Sequence, residues 1–202
     1  MTLVEEILVK QLGRVDYLPT FEAMRAFTAR RNEATADEIW LLDHPPVYTL
    51  GQGAEQPSVD NGIPVVQADR GGEITYHGPG QVVLYALVDL ARRGIKVKQF
   101  VAMLENSVIE LLGGRGGRKP GAPGVYVGGA KIAALGIRVS RGRAYHGLAL
   151  NVDMDLAPFA AIDPCGYPGL AVTQTRDLGI NKSMDEIGAE LASTLIEKLE
   201  HA

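Results

Sequence analysis

Residues 125–153 read VYVGGAKIAALGIRVSRGRAYHGLALNVD, and their hydrophobic rhythm sets the fold class. Three β-rich runs, at 125–127, 131–140 and 145–153, are separated by Gly128-Gly129 and by Arg141-Gly142-Arg143. Short glycine-bearing connections of this kind return a strand antiparallel to itself, so three consecutive antiparallel strands are expected. Side chains alternate along a regular strand, which puts Lys131 in phase with Ala133, Leu135, Ile137 and Val139, the apolar face. A lysine on that face either lies at the strand end with its head reaching solvent or is buried for a purpose.

Working outward, the chain supplies more strands and a few helices. Ile7-Leu8-Val9 reads as a first strand. Tyr17, Phe21, Met24 and Phe27 recur at helical spacing, which predicts a helix running to about Arg31. Ile39-Trp40-Leu41-Leu42 is a short buried strand ended by His44-Pro45-Pro46, because two prolines cannot continue a ladder. Val47 to Leu50 leads into a loop over 51–62, and 63–67 returns as a strand. Ile74 and Tyr76 alternate with Thr75 and His77 in a short strand between glycine turns, followed by the β-rich run 82–88. Residues 98–112 carry Val101, Leu104, Val108, Leu111 and Leu112 on one helical side. Residues 113–124 read as a mobile basic loop rich in glycine and proline. A final helix is expected over 183–199, where Ser183 and Glu186 can form a capping box. Strands mixed with three helices and no dividing linker predict one α+β domain over 1–202, a mixed and mostly antiparallel sheet packed with helices.

Composition narrows the function classes. With 46% hydrophobic and 22% charged residues among 202, the chain has the balance of a globular protein with one well-buried core. No apolar run approaches the length of a bilayer span, and Met1 to Glu6 is acidic where a secretory leader is basic, so neither membrane insertion nor secretion is expected and the cytoplasm is the expected compartment. The single cysteine excludes an internal disulfide and thiolate-rich metal sites. His44, His77, His146 and His201 lack metal-binding spacing, so no metal is expected. The net charge of −4 hides an asymmetry: between Arg92 and Arg143 eleven basic residues face two acidic ones, Glu105 and Glu110. That segment is either a solvated basic face or a docking surface for an acidic partner, and the few aromatics among its charges argue against nucleic acid.

The lone cysteine stands in Asp163-Pro164-Cys165-Gly166-Tyr167-Pro168-Gly169. Two prolines and two glycines place Cys165 on a tightly turned loop, and a thiol presented on a loop is a candidate nucleophile; the alternative is a small buried hydrophobe. Upstream, Arg70-Gly71-Gly72 and Gly78-Pro79-Gly80 are glycine turns where a ligand can approach the backbone closely.

Several stretches together carry a resemblance. They are Arg70-Gly71-Gly72-x-x-Thr75-Tyr76-His77-x-Pro79-Gly80-Gln81, Pro123-Gly124-Val125-Tyr126-Val127-Gly128, Lys131-Ile132, Leu135-Gly136, His146-Gly147-Leu148-Ala149-Leu150-Asn151-Val152 and Pro164-Cys165-Gly166. In one order over about residues 70 to 169, they closely resemble the lipoyl(octanoyl)transferases. The resemblance implies a biotin/lipoate protein ligase-like fold and an enzyme that moves an octanoyl group from acyl carrier protein to a lysine amine. The acceptors it implies are lipoyl domains of 2-oxoacid dehydrogenase complexes and the glycine cleavage H protein, with no cofactor. It implies Cys165 as the acyl-accepting nucleophile and Lys131 as its acid/base partner. It also implies an acyl pocket built from Arg70, Gly71, Gly72, Glu73, Ile74, Thr75, Tyr76 and His77, from Ala134, Leu135 and Gly136, and from Gly147, Leu148 and Ala149. Small residues at 136, 147 and 149 would leave room for a linear chain, and an acidic carrier protein would suit the basic segment, Arg92, Arg93 and Lys96 included.

Three rivals stand beside it. An ATP-dependent lipoate ligase on the same fold needs no cysteine nucleophile. A nonenzymatic module that binds an acyl carrier or nucleic acid needs only the charge asymmetry. A cysteine hydrolase would use His77 or His146 as base.

Overall fold

The structure is a computed structural model that describes residues 6–55, 57, 59–162 and 169–202. Its main sheet has seven strands in the order β1-β2-β6-β10-β9-β8-β7. In chain order these are β1 (Leu8–Arg14), β2 (Glu38–Asp43), β6 (Gln81–Asp89), β7 (Gly117–Lys119), β8 (Ala122–Val127), β9 (Ala130–Ser140) and β10 (Arg143–Asn151). Only β1 and β2 pair in parallel; the other neighbours are antiparallel. A smaller sheet, ordered β4-β3-β5, is made by β3 (Val47–Leu50), β4 (Val65–Gln67) and β5 (Ile74–His77). The helices are α1 (Tyr17–Arg30), a short α2 (Leu90–Arg93), α3 (Val97–Leu111) and α4 (Met184–Glu200). This is the expected α+β arrangement.

Period-two alternation sorts the central strands onto two cores. On β6, Val82, Leu84, Ala86 and Val88 enter a cluster beneath α3 and α4, with Phe100, Leu104, Leu191 and Leu195. The alternate residues Val83, Tyr85 and Leu87 join Tyr17, Phe21 and Met24 of α1 on the other face. Both faces are buried, so the strand reads as an unbroken apolar run. A third cluster, with Tyr48, Tyr76, Phe159 and Ile162, packs the small sheet against a 3-10 turn at Ala157–Ala161.

Both tight turns of the opening stretch behave as read. Gly128 and Gly129 have φ of 57° and 85°, and Arg141 and Gly142 have 50° and 78°. Two successive positive φ values give the twist that matches antiparallel strands. The 113–124 segment, however, is not a loop throughout: β7 and the start of β8 form a further hairpin around Pro120-Gly121. Pro120 and Gly121 lie in the turn and Gly117 on the exposed edge strand β7, whereas Pro123 and Gly124 lie within β8.

The two ends of the main sheet differ in chemistry. At the Asp89 end of β6, the wholly buried Asp37 carboxylate is ringed by guanidinia. It bonds Arg31, Arg92 Nη2 at 3.1 Å and Arg93 Nε at 2.6 Å, and accepts the Asp89 backbone N–H at 2.8 Å. Burial pulls this carboxyl upward, but the Asp89 N–H and the Arg31 and Arg93 guanidinia more than offset it and leave it below its ordinary value. The segment read as a basic docking surface is therefore partly internal. Arg92 and Arg93 serve Asp37, Arg118 pairs with Glu105 at 2.6 Å, and Arg143 pairs with Asp89 at 3.2 Å. Lys96 and Lys98 are exposed, but they follow α2 at the Asp89 end, whereas Lys131 lies at the opposite end of β9.

A narrow slot as candidate active site

β9 carries the decisive irregularity. Gly124 pairs with Ala134 and Val125 with Ala133, but the next residue, Tyr126, pairs with Lys131, so Ile132 is an extra residue in β9. This β-bulge cancels the alternation read from the sequence. Ile132 and Ala133 both enter the core beneath α3 and α4, where Leu135, Ile137 and Val139 also pack. Lys131 is turned instead to the face of Ala134 and Gly136. The expectation that it shares the Ala133 face is corrected, and of its two readings, reaching solvent or being buried, burial holds: Lys131 is 4% exposed.

Lys131 lies beside a narrow slot with a cavity volume of about 40 Å³. One wall comes from β9 and β10 with Ala134, Leu135, Gly136, Gly147, Leu148 and Ala149. Arg70, Gly72, Glu73, Ile74, Thr75 and His77 also line the slot, as do Tyr17, Tyr85 and His146. Of the fourteen residues the resemblance pointed to, Gly71 and Tyr76 do not bound the slot. Gly71 spends its N–H on Ile137 O at 2.9 Å, which fastens the Arg70 loop to β9. Tyr76 packs with Tyr48 and Phe159 beneath the small sheet.

The glycines serve close approach more than empty space. A Cβ on Gly136 would lie 2.9 Å from Gly71 O and 3.1 Å from Arg70 Cδ, and one on Gly147 would lie 2.1 Å from Leu84 O. Both would strike neighbouring chain rather than fill the slot, which revises the reading of positions 136 and 147 as pocket volume. Gly124 acts on the lysine directly: with φ of 141°, its Cβ would meet Lys131 Cε at 2.7 Å and Ala133 O at 2.6 Å. The Lys131 side chain passes over the place where any other residue at 124 would put a carbon, and its Nζ stands 5.6 Å from the Tyr126 ring centroid.

Lys131 also receives the chain that follows the cysteine. Its N–H donates to Ala171 O at 2.8 Å, and its carbonyl accepts from Thr173 N at 3.0 Å, a parallel bridge to Val172. Ile162, just before the cysteine stretch, is buried in the small-sheet cluster against which Val172 packs. Cys165 itself lies outside the described residues.

Around Arg70, the slot is backed by a polar network of histidines, tyrosines, Gln81 and the Asp69 carboxylate. His44 Nδ1 faces Val15 O, which can only accept, so Nε2 takes the Tyr85 hydroxyl proton at 2.8 Å. Gln81 donates its NH₂ to Tyr76 O and to Asn151, which turns its carbonyl oxygen to His77 Nδ1 at 2.8 Å. His146 Nε2 donates to Asp69 Oδ1 at 2.9 Å, and Tyr145 shares that carboxylate. Burial pushes all three histidines below their ordinary pKa, His77 to about 3 with His44 nearby adding to the effect. They are neutral in the folded protein. His146 reaches this place through a φ of 63°, inside a strand whose other residues are regular. A side chain in that region is strained, and here it swings the ring from the core face onto Tyr145 and Phe21, with centroids at 5.0 and 5.4 Å. Tyr17 and Tyr85 were missed as slot residues because their sequence signal, apolar periodicity, is the same as that of core.

The family model of the lipoyl protein ligase A/B catalytic domain matches residues 16–196. An octanoyltransferase of Thiobacillus denitrificans is 61% identical over 94% of this chain and 89% of its own. Another, of Dechloromonas aromatica, is 58% identical over 96% of this chain and 97% of its own. The chain belongs to the lipoyl protein ligase A/B catalytic-domain family. Its fold is that of a bipartite lipoate protein ligase from Thermoplasma acidophilum, with a TM-score of 0.71 at 17% identity over 96% of this chain and 84% of that one. Biotin protein ligase from Aquifex aeolicus is more distant, with a TM-score of 0.56 at 15% identity over 95% and 68% of the two chains. Membership in the family covers the slot and Lys131, since both fall inside the matched span. Among the described residues no group of histidine, cysteine, aspartate and glutamate could hold a metal ion, and no helix is long and apolar enough to cross a membrane.

Proposed function

We propose that residues 1–202 form one catalytic domain that moves an octanoyl group from acyl carrier protein to a lysine amine on a lipoyl domain, through a thioester on Cys165. The observation that carries this reading is the ladder joining Lys131 to Ala171 and Thr173 at the slot. It fastens the segment after Cys165 beside a buried amine, and the extended reach of the few intervening residues, ~3.3–3.6 Å each, is ample to bring the thiol there. Relatives named octanoyltransferase at high identity support the acyl group.

The chemistry follows from the two side chains. The Cys165 thiol gives its proton to the Lys131 amine and attacks the donor carbonyl; the carrier's sulfur leaves and takes that proton from the ammonium. In the second half, the acceptor amine attacks the Cys165 thioester, its proton passes to Lys131, and the cysteine sulfur departs and is reprotonated. The acyl chain lies along Ala134, Leu148 and Ala149, where each buried methylene contributes ~0.8 kcal/mol. Acceptors of this chemistry are lipoyl domains such as those of 2-oxoacid dehydrogenase complexes and the glycine cleavage H protein, in the cytoplasm.

The test is acyl transfer to a lipoyl domain followed by mass spectrometry, with octanoyl-acyl carrier protein and no ATP, against free octanoate with ATP. Product from the first mixture alone is expected. Product from the second alone would assign the chain to ATP-dependent ligation instead.

A further inference from the structure

Among the described residues, two buried polar atoms on side chains that line the slot have no hydrogen-bond partner: the Tyr17 hydroxyl and His146 Nδ1. Tyr17 is 5% exposed and His146 0%, and both line the slot. Their rings flank Phe21, with centroids at 6.0 and 5.4 Å. Leaving either atom unpaired in an apolar enclosure is costly, and native interiors seldom tolerate it without a water or ligand.

The hydrogen-bonding sense of His146 Nδ1 is fixed, whereas the Tyr17 hydroxyl can donate or accept. His146 commits its N–H to Asp69 through Nε2, so Nδ1 offers a lone pair and needs a donor. The tyrosine hydroxyl has a proton to give and no acceptor. Both side chains line the same slot, and a hydroxyl or a water, which donates and accepts, can satisfy either atom where a methyl cannot.

Position along the strand says where on a ligand that group sits. His146 pairs with Ile137 of β9, and the slot residues Gly136 and Gly147 pair next to them. From Lys131 to Ile137 the strand rises ~3.3 Å per residue, so the polar end is remote from the reacting carbonyl and faces the tail of the chain. The wall between carries Ala134 and Ala149, paired across β9 and β10, whose side chains have no polar atoms.

We infer that the slot ends in a hydroxyl subsite, formed by Tyr17 and His146, that takes a terminal hydroxyl on the acyl chain and holds a water when the chain ends in a methyl. The substrate class thereby extends to ω-hydroxyacyl thioesters of medium length. This inference rests on the acyl-transfer reading of the same slot.

The experiment compares kcat/KM for three donors loaded on acyl carrier protein: octanoyl, 8-hydroxyoctanoyl and 5-hydroxyoctanoyl. Octanoyl transfer tests the underlying reading by itself, and its absence removes that reading. Given octanoyl transfer, the subsite predicts that 8-hydroxyoctanoyl is used within roughly tenfold of octanoyl, because its hydroxyl regains hydrogen bonds, while 5-hydroxyoctanoyl is worse by a further tenfold or more against the apolar walls. Equal rejection of both hydroxylated donors in the parent protein overturns the inference. In Tyr17→Phe the ratio of 8-hydroxyoctanoyl to octanoyl is expected to fall about tenfold; an unchanged ratio also overturns it. Should that variant not fold, the positional comparison in the parent protein decides. A crystal structure with octanoate separates the two sources of the hydroxyl: a water bonded to Tyr17 and His146 supports the subsite, and an empty end with neither atom bonded contradicts it.

Discussion

At the scale of single residues, the site depends on what does not fit beside Lys131. Gly124→Ala would place a carbon 2.7 Å from Lys131 Cε and 2.6 Å from Ala133 O, at a φ of 141° that L side chains rarely adopt. The lysine must move, so kcat is expected to fall by ~10- to 100-fold, the scale on which a misplaced group slows a positioned reaction. Steady-state kinetics on a variant with a parent-like circular dichroism spectrum checks this; unaltered kcat would mean that the lysine's position does not matter. Lys131→Arg is a second expected failure, because a guanidinium does not give up its proton, and kcat should drop as far as in Lys131→Ala.

Between elements, the strongest device is Asp37, which ties the C-terminal end of α1, the end of β6 and α2 through Arg31, Arg92 and Arg93. Asp37→Ala leaves the Arg31 guanidinium, wholly buried, without its carboxylate. Loss of a buried partner costs about 3–5 kcal/mol, and urea unfolding should show a shift of that size; a change under about 1 kcal/mol would mean the arginines find other partners. Reversing Arg92 and Arg93 is expected to damage the same device, so it cannot serve as a clean test of carrier docking. These elements also show what the sequence could convey. Hairpins at Gly128-Gly129 and Arg141-Gly142, the α1 face and the Ser183–Glu186 capping box are local, and each was legible because turn chemistry and periodicity are local signals. The bulge at Ile132 was not, since nothing in KIAA breaks alternation until β8 is laid beside it. Nor was the fate of Arg92 and Arg93: a charge run looks solvated until the distant Asp37 is packed against it.

Across the whole molecule, three neutral histidines behind the slot make the fold sensitive to mild acid. His44, His77 and His146 all have folded pKa values held by burial below the ordinary 6.5. A group depressed in this way gives stability that is complete above its unfolded pKa and is lost as pH falls from there toward its folded value, near 3 for His77. Each histidine contributes a slope of up to ~1.4 kcal/mol per pH unit in that window. Urea midpoints should therefore drop between about pH 7 and about pH 5, before the carboxylates titrate, and His77→Gln should flatten the slope. A midpoint independent of pH over that range would contradict the neutral cluster. In the acyl-transfer reading proposed above, the same layout, with a polar end at His146 and Lys131 at the other, orients the chain with its carbonyl toward Lys131. The most direct test is intact-mass spectrometry of the protein mixed with octanoyl-acyl carrier protein, without acceptor and without ATP. The parent is expected to gain one octanoyl group that hydroxylamine removes and a lipoyl domain takes up, with none on Cys165→Ala and slow loading on Lys131→Ala. Full loading of Cys165→Ala, or turnover by the parent with no adduct on Cys165, would contradict the account.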